Sequence, residues 1–299
     1  MYEYANRLSE KGHEVLVLHS LKRPFKRNKS PLWWKRVIFA LRKADRPSWF
    51  VLHETVKSRI VPEISDAYVP AADVIISTWW QMAYALNKLN ASKGRKFNFI
   101  QGYEVWENQQ ELVHQSYRLP LTHLVIARYL GELVQQYSDQ EPLYLPNAVD
   151  IAQFFVSQPI ISRKPDSVIM LYSEENHKGS QIGLDALVQA KTTHPGLTAT
   201  FFGVGDKPAF LPDWIHYTKR PTNLRELYNA HAIMISPSLG EGWGLPAFEA
   251  MACGCALACT NIGGHSEFAK HQETALLVEP GSASALAQQI SLLLAEPEQ

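Results

Sequence analysis

The chain has few cysteines, no long apolar run and no excess of either charge, and each of these absences narrows the classes of protein it can belong to. Its 299 residues include three cysteines, at positions 253, 255 and 259, an odd and clustered set that makes a poor disulfide framework and is typical of a reducing cytoplasm. No apolar run reaches the ~18 residues that a membrane helix needs, and no signal peptide opens the sequence. Basic and acidic residues balance at 29 each, so the overall charge indicates no nucleic-acid partner.

Metal-binding patterns are also scarce. No second cysteine pair accompanies the clustered three, and no Asp-x-Asp pair occurs. We therefore interpret the cysteines as small buried residues and expect no metal site. The hydrophobic content of 46% and the charged content of 19% are those of a globular protein with room for two ordinary domains.

The sequence alternates between short apolar runs and helical stretches. Such alternation predicts a parallel α/β sheet covered by helices on both faces. A proline-rich stretch from Pro142 to Pro165 divides the chain. We predict an N-terminal domain at 1–145, a linker at 146–165 and a C-terminal domain at 166–299. The predicted strands are 14–19, 72–77, 97–101, 124–127, 167–172, 197–203, 214–218, 232–235 and 255–259, and the predicted helices include 1–11, 81–90, 180–191 and 222–230.

The N-terminal domain begins with a helix, whereas a doubly wound nucleotide-type domain begins with a strand and a glycine turn. We therefore expect that its first strand is absent. Because that strand normally lies in the middle of the sheet, its absence leaves two unpaired edges. The order of elements suggests a fragment or a trimmed gene product.

The segment from Ser236 to Gly254 carries the most information. It follows the apolar run at 232–235 and places Gly240, Gly242 and Gly244 within five residues, so its backbone can approach a ligand closely. Pro246 suits the first turn of a following helix. A helix that begins after a glycine loop offers free N–H groups and a positive dipole end, which can hold a phosphate.

Two carboxylates, Glu241 and Glu249, flank the predicted phosphate position. Carboxylates repel phosphate, so we expect them to accept hydrogen bonds from hydroxyl groups beside it. Phosphate and hydroxyls together indicate a sugar nucleotide. Lys178 precedes a second predicted helix, where the dipole disfavours a cation until an anion arrives, and this predicts a diphosphate contact.

The Glu-x7-Glu spacing inside Gly-Glu-Gly-Trp-Gly-Leu-Pro-Ala-Phe-Glu resembles the retaining family 4 (group 1) glycosyltransferases of the GT-B fold. Three further segments resemble this family: His177-Lys178-Gly179, the glycine pair of Thr260 to Glu267, and Ala275 to Gly281. The resemblance is dense over residues 146–299 and thin before them. It implies two Rossmann-like doubly wound domains, the N-terminal one without its first strand. The family usually ends in a further helix, so the end at Gln299 also suggests a shortened chain.

The resemblance implies transfer of a sugar from a nucleotide diphosphate sugar to a hydroxyl acceptor, with retention of configuration, no protein nucleophile, no metal and no cofactor. It implies that Glu249 binds the ribose hydroxyls and that Glu241 contacts the donor sugar. Lys178 would stabilise the leaving diphosphate as a catalytic residue. The main chain of the glycine loop would bind phosphate and sugar, and Arg220 is a weaker donor-binding candidate. The loop residues are Gly242, Trp243, Gly244 and Leu245.

Two departures from the family pattern weaken the catalytic interpretation. The family places an Arg five residues before Lys178, where this chain has Ser173, so a guanidinium contact to phosphate is lost. The family often has a His in the first domain where this chain reads Gln101-Gly102-Tyr103-Glu104. That pattern resembles a subset that builds surface polysaccharides, including rhamnosyl-transferring members. Gln101 and Glu104 are therefore acceptor-side candidates, and a strand-end turn with a solvated Glu is the alternative.

The segment Lys22–Arg46 holds ten basic residues against one acidic residue, interleaved with tryptophans and aliphatic residues. Such a segment could lie on an anionic membrane surface, where lipid-linked acceptors reside. A solvated loop and helix is the alternative, and no nucleic-acid module accompanies it. We expect a UDP- or GDP-linked donor, a carbohydrate or lipid-linked acceptor, and a cytoplasmic protein with peripheral contact to the inner membrane face.

Two other classes of function stay open at this stage. One is a non-catalytic sugar-nucleotide-binding partner subunit or an inactive fragment, which the departures favour. The other is a dinucleotide-dependent oxidoreductase, which needs a Gly-x-Gly-x-x-Gly turn after a strand. The segment Gly203-Val204-Gly205 is too short for that turn.

Overall fold

The structure is a computed structural model that describes residues 1–25, 31, 34, 37–39, 45–47, 49–105 and 109–295. Much of the basic segment Lys22–Arg46 lies outside the described residues, so its membrane contact stays a prediction. The chain divides into two compact units, one of residues 1–125 and 131–144 and the other of residues 126–130 and 145–299.

The N-terminal unit contains two parallel sheets. The first sheet pairs β1 with β2, and the second has the order β3-β4-β5-β6. Among the described strands of this unit, β1, β2, β3 and β6 each have one neighbour, and the expected absence of a first strand stays a prediction. The elements of this unit are α1 (Tyr2–Glu10), β1 (Leu16–Ser20), β2 (Lys57–Val61), β3 (Val74–Ser77), α2 (Trp80–Asn87), β4 (Arg95–Ile100), α3 (Gln110–Tyr117), β5 (Thr122–Val125), α4 (Arg128–Gln135) and β6 (Leu143–Tyr144).

The C-terminal unit contains one six-stranded parallel sheet of order β12-β11-β10-β7-β8-β9. The chain moves outward from β7 through β8 to β9, then returns to pair β10 with the other side of β7. Its elements are β7 (Ser167–Leu171), α5 (Ser180–Thr193), β8 (Thr198–Gly203), β9 (Ile215–Lys219), α6 (Leu224–Asn229), β10 (Ile233–Ser236), α7 (Leu245–Ala252), β11 (Ala256–Thr260), β12 (Leu276–Val278) and α8 (Ala283–Ala295).

The reversal of strand order between β7 and β10 determines where a ligand can bind. In open α/β sheets the crevice lies at such a switch point, outside the carboxyl ends of the strands. We call this side of the six-stranded sheet the carboxyl edge. The residues that follow β7 and β10 meet there.

Helices cover both faces of the six-stranded sheet, as the apolar runs of its central strands predict. Val168 and Met170 of β7 pack into a core with α5 and α8, while Ile169 points to the opposite core, which contains α7. The three cysteines are free thiols buried in the structure, which confirms their interpretation as core residues. They belong to β11 and the turn that leads into it.

Arg163 fixes the end of helix α7 from the segment before β7. Its guanidinium is buried and donates to the Cys253 carbonyl at 2.7 Å, the His231 carbonyl at 3.1 Å and the Asn229 Oδ1 at 3.0 Å. A buried guanidinium is tolerated only where such acceptors surround it. These bonds hold the helix that carries Glu249.

Candidate active site

The turn that carries Lys178 follows β7 directly at the carboxyl edge. We call residues 172–179 the Lys178 loop. The Ser180 hydroxyl donates to the Ser173 carbonyl at 2.8 Å and accepts the Ser173 N–H at 2.9 Å, while the Ser173 hydroxyl accepts the Glu175 N–H at 3.2 Å. Ser173 therefore closes this loop, and its position supplies no cation.

Gly179 ends the Lys178 loop in the left-handed conformation, with φ of 63°. A Cβ atom at this position would lie 2.1 Å from the Pro237 carbonyl oxygen. Only glycine therefore lets the Lys178 loop approach the loop that follows β10 this closely. A main-chain bond from the Leu239 N–H to the His177 carbonyl, at 2.7 Å, joins the two loops.

The structure brings the two residues predicted to be catalytic into direct contact. The Lys178 Nζ lies 2.8 Å from Oε1 and 3.0 Å from Oε2 of Glu241. The Ser238 hydroxyl donates to the same Oε1 at 2.9 Å. The side chains of Lys178 and Glu241 are 20% and 13% exposed, so solvent screens the pair only in part.

The loop between β10 and α7, residues 237–244, is called here the Glu241 loop. It ends at Gly244, which has φ of 96° and precedes the first turn of α7, where Pro246 lies as predicted. Gly244 and Pro246 line one cavity together with Lys178 and Glu241. The Trp243 side chain is 5% exposed and packs on Phe248, so its ring is core and not a stacking surface.

Glu249 lies on α7, where Tyr228 of α6 contacts it. The Tyr228 hydroxyl donates to Glu249 Oε2 at 3.2 Å. Burial raises the pKa of Glu249 to about 7. The ionisation of its carboxyl group is therefore shifted to near neutral pH.

His265 packs against Gly244 at the end of the Glu241 loop. Its ring would lie 2.6 Å from a Cβ atom at Gly244. The His265 Nδ1 lies 2.9 Å from the Thr260 carbonyl and its Nε2 lies 3.1 Å from the Ser236 hydroxyl. Because a carbonyl only accepts, Nδ1 carries the proton and Nε2 accepts from Ser236. Burial lowers the pKa of His265, so the ring is neutral.

Arg220 lies at the end of β9, in the left-handed region with φ of 47°. Its main-chain N–H donates to the Gly203 carbonyl at 2.7 Å and its Nε to the Val204 carbonyl at 3.1 Å. These bonds direct Arg220 to the turn after β8. Its role in donor binding stays a prediction.

The two acceptor-side candidates belong to the N-terminal unit and lie at and after the end of β4. Glu104 Oε2 accepts the Trp80 N–H at 3.1 Å and so binds the first turn of α2. Burial raises the pKa of Glu104 to about 7. Gln101 is half-buried where the strand ends. Glu104 is half-buried, and its role on the acceptor side stays a prediction, as does the alternative of a strand-end turn.

Four residues at the C-terminal site escaped the sequence analysis: Tyr129, Tyr228, Ser238 and His265. Ser238 lies three residues before Glu241, and no local pattern marks its hydroxyl as a partner of that carboxylate. Tyr129 and Tyr228 are distant in sequence, and no local pattern marks them. Within the described ranges no group of three or more His, Cys, Asp or Glu side chains could hold a metal ion, and no helix is long and apolar enough to cross a membrane.

Residues 167–296 match the sequence model of the family described as glycosyl transferases, group 1. The C-terminal unit of the chain is therefore similar in sequence to the group 1 glycosyltransferases. The match covers the whole six-stranded sheet with the Lys178 and Glu241 loops. It favours a transferase over the dinucleotide-dependent alternative.

Curated proteins that are similar in sequence to this chain match about half of it. It is 30% identical over 139 residues to the D-inositol 3-phosphate glycosyltransferase of Rhodococcus jostii, which covers 46% of the chain and 28% of that protein. It is also 30% identical over 167 residues to the glycogen synthase of Mycobacterium tuberculosis, which covers 50% of the chain and 39% of that protein. The matches thus cover well under half of either relative.

Solved structures show the fold over the full length. A sucrose-phosphate synthase from Thermosynechococcus elongatus superposes with a TM-score of 0.70 at 17% identity, over 99% of this chain and 83% of that one. The Anabaena protein Alr3699/HepE, in complex with UDP and glucose, gives a TM-score of 0.64 at 18% identity, over 76% of this chain and 69% of that one. These likenesses show the GT-B glycosyltransferase fold that the sequence predicted.

Proposed function

We propose that this protein is a group 1 glycosyltransferase that moves a sugar from a nucleotide diphosphate sugar to a hydroxyl acceptor with retention of anomeric configuration. The observation that carries the proposal is the contact between Lys178 and Glu241 at the switch point of β7 and β10. This contact supports the proposal because a cation suited to a phosphate lies beside a carboxylate suited to hydroxyl groups. The neighbouring helix α7 adds Glu249 and the main-chain amides at its start.

The chemistry of glycosyl transfer explains why these groups are needed together. When the bond between sugar and diphosphate breaks, negative charge grows on the phosphate and positive charge on the anomeric carbon. Lys178 and the N–H groups of Gly242 to Leu245 would stabilise the negative charge on the phosphate. Glu241 would stabilise the positive charge on the anomeric carbon, and these groups are in position before the bond breaks. In the structure Lys178 and Glu241 form an ion pair. When a donor binds, its phosphate would replace the Glu241 carboxylate as the partner of the Lys178 ammonium, and the carboxylate would contact the sugar.

Glu249 would bind the nucleotide end of the donor. The two oxygens of a carboxyl group can accept hydrogen bonds from two vicinal hydroxyls, and the ionised group accepts them more strongly than the protonated group does. Tyr228 already occupies one oxygen and orients the carboxyl group. We assign the ribose hydroxyls to Glu249 and metal-independent stabilisation of the diphosphate to Lys178 and the loop amides.

The donor class proposed is a UDP- or GDP-linked sugar, which the UDP and glucose held by the Anabaena protein support. The acceptor class is a carbohydrate or lipid-linked hydroxyl, in cell-surface polysaccharide or glycolipid synthesis. We place the protein in the cytoplasm, with peripheral contact to the inner membrane face through Lys22–Arg46.

A sugar-nucleotide-binding subunit without turnover is the second candidate. Ser173 stands where the resemblance predicts an arginine, and its hydroxyl is used to close the Lys178 loop. Lys178 is the lysine of that loop, and it is already paired with Glu241. Binding of a donor without release of the nucleoside diphosphate would support this candidate.

The test measures nucleoside diphosphate release from UDP-glucose, UDP-N-acetylglucosamine and GDP-mannose, with simple sugar acceptors and lipid extracts, and the anomeric proton coupling of any product by NMR. The proposal expects release with one donor and a product of retained configuration. Lys178→Ala should abolish release, and Lys164→Ala should not, because Lys164 pairs with Asp166 before β7, at the end of that strand opposite the Lys178 loop. Neither binding nor release with any donor would contradict the proposal.

A further inference from the structure

A tyrosine far from the Glu241 loop in sequence binds its main chain. Tyr129 lies 112 residues before Glu241, and its hydroxyl donates to the Glu241 carbonyl at 2.7 Å. Residues 126–130 belong to the same compact unit as the Glu241 loop. Burial and the nearby charges of Glu241 and Glu267 raise the pKa of the Tyr129 hydroxyl, so it is protonated and acts as a donor.

The glycine pair that follows β11 makes room for this contact. A Cβ atom at Gly263 would lie 2.3 Å from Cγ of the Tyr129 ring. A Cβ atom at Gly264 would lie 2.6 Å from the Glu241 carbonyl oxygen and 2.9 Å from the Trp243 nitrogen. The two glycines therefore lie against the Tyr129 ring and the main chain of the Glu241 loop, where no side chain fits.

A neighbouring contact anchors the same segment. The Arg128 main-chain N–H binds Glu267 Oε1, and its guanidinium lies 3.1 Å from Glu267 Oε2. The Glu267 side chain is 3% exposed. Because Arg128 and Tyr129 are adjacent, Glu267 fixes the direction from which the tyrosine approaches the loop.

We propose that Tyr129 is a positioning residue of the donor site, which acts through the main chain of Glu241. Its hydroxyl and ring fix the peptide groups of Glu241 to Trp243 on one side, while Ser238 and Lys178 fix the Glu241 carboxylate on the other. The loop amides and the carboxylate are thereby held in one geometry before a donor binds. The ligand part of the proposal rests on the proposed function, and the structural part does not.

The structural part is tested by amide hydrogen exchange of residues 240–246 in the full chain. Tyr129→Phe keeps the ring and removes the hydroxyl, and we expect exchange about two- to tenfold faster, since one hydrogen bond is lost. Tyr84→Phe is the matched control, because the Tyr84 hydroxyl donates to the Leu112 carbonyl at the same 2.7 Å in the other unit. Unchanged exchange in Tyr129→Phe would overturn the proposal.

A second variant changes the other side of the contact. Gly263→Ala forces the Tyr129 ring away, and we expect it to accelerate exchange in the same peptide. Gly205→Ala is its control, because nothing lies within 4 Å of a Cβ atom there. Equal exchange in the two alanine variants would count against the role of Tyr129.

The functional part compares UDP with UDP-linked sugars in titrations of wild type, Tyr129→Phe and Tyr84→Phe. Because Glu241 is assigned to the sugar, Tyr129→Phe should weaken nucleotide-sugar binding several-fold more than UDP binding. A residue that only stabilised the fold would weaken both ligands equally, and that result would overturn the positioning role. If wild type binds neither UDP- nor GDP-linked ligands, the proposed function fails, and the exchange comparison still decides whether Tyr129 fixes the loop.

Discussion

Glu249, which we propose binds the ribose of the donor, ionises near neutral pH. Burial raises its pKa to about 7, so at lower pH the carboxyl group is neutral. We predict that nucleotide-sugar affinity rises as the pH increases through about 7 in wild type, because the ionised form accepts ribose hydroxyls more strongly. The diphosphate of a nucleotide sugar does not titrate there. Calorimetry between pH 5.5 and 8.5 measures the effect.

The control for this prediction is the other carboxyl group with a raised pKa. Glu104 in the N-terminal unit also has a pKa of about 7. Glu104→Gln should keep the pH dependence of donor affinity, and Glu249→Gln should lose it. A pH dependence that persists in Glu249→Gln would assign it to another group.

The same pKa predicts a pH-dependent stability. Because folding raises the pKa of Glu249, the folded state binds more protons than the unfolded state between about pH 4.5 and about pH 7. This group therefore lowers the free energy of unfolding as the pH rises through that window, and the loss is complete above the folded pKa. Glu249→Gln lacks this loss. The free energy of unfolding of the variant minus that of wild type, measured in urea, should therefore be about 2 kcal/mol larger at pH 8 than at pH 5. An equal difference at both values would contradict it.

The pairing of Lys178 with Glu241 is a second prediction at the scale of residues. The pair is largely buried, so replacing either residue by alanine leaves a partly desolvated charge and should cost about 1 to 2 kcal/mol. The double replacement should cost less than the sum of the two, which a double-mutant cycle measures. The exposed pair of Lys57 and Glu14, with side chains 67% and 78% exposed, is the control and should show no measurable coupling. Additive costs for Lys178 and Glu241 would contradict the contact.

At the scale of elements, Gly179 connects the Lys178 loop to helix α5. Gly179→Ala meets both a left-handed backbone and the Pro237 carbonyl, so we predict a loss of about 2 to 4 kcal/mol in the free energy of unfolding. Gly12→Ala has a similar φ of 88° but open space around its Cβ atom, and should cost about 1 kcal/mol. Equal losses in the two variants would show that the close approach of the two loops is absent.

The elements of the C-terminal unit could be predicted closely from the sequence. Continuous apolar runs marked the buried strands β7, β8 and β10, and the glycine loop with Pro246 marked the start of α7. Strand β2 was missed, because Lys57-Ser58-Arg59-Ile60-Val61 has only two apolar residues. Three polar residues are followed by two apolar ones, so the sequence shows no alternation of polar and apolar residues although burial alternates over the first four positions.

At the scale of the whole molecule, strand order separates what the sequence could predict from what it could not. Lys178 and Glu241 were each placed after a strand, but their contact depends on β7 and β10 being neighbours, which no local pattern states. The same holds for Tyr129, which reaches Glu241 from 112 residues away. The family resemblance supplied roles for the loop residues and did not supply these supporting contacts.

Glu241 and Glu249 together test the account most directly, since they bracket the amides at the start of α7. UDP- and GDP-linked donors should be titrated calorimetrically into wild type, the Glu241→Ala/Glu249→Ala variant and a Glu273→Ala/Glu279→Ala control. The control removes two exposed carboxylates from the same unit. We predict that wild type and the control bind one donor with the same heat and that the Glu241/Glu249 variant gives none. Indistinguishable heats from all three proteins would contradict the account.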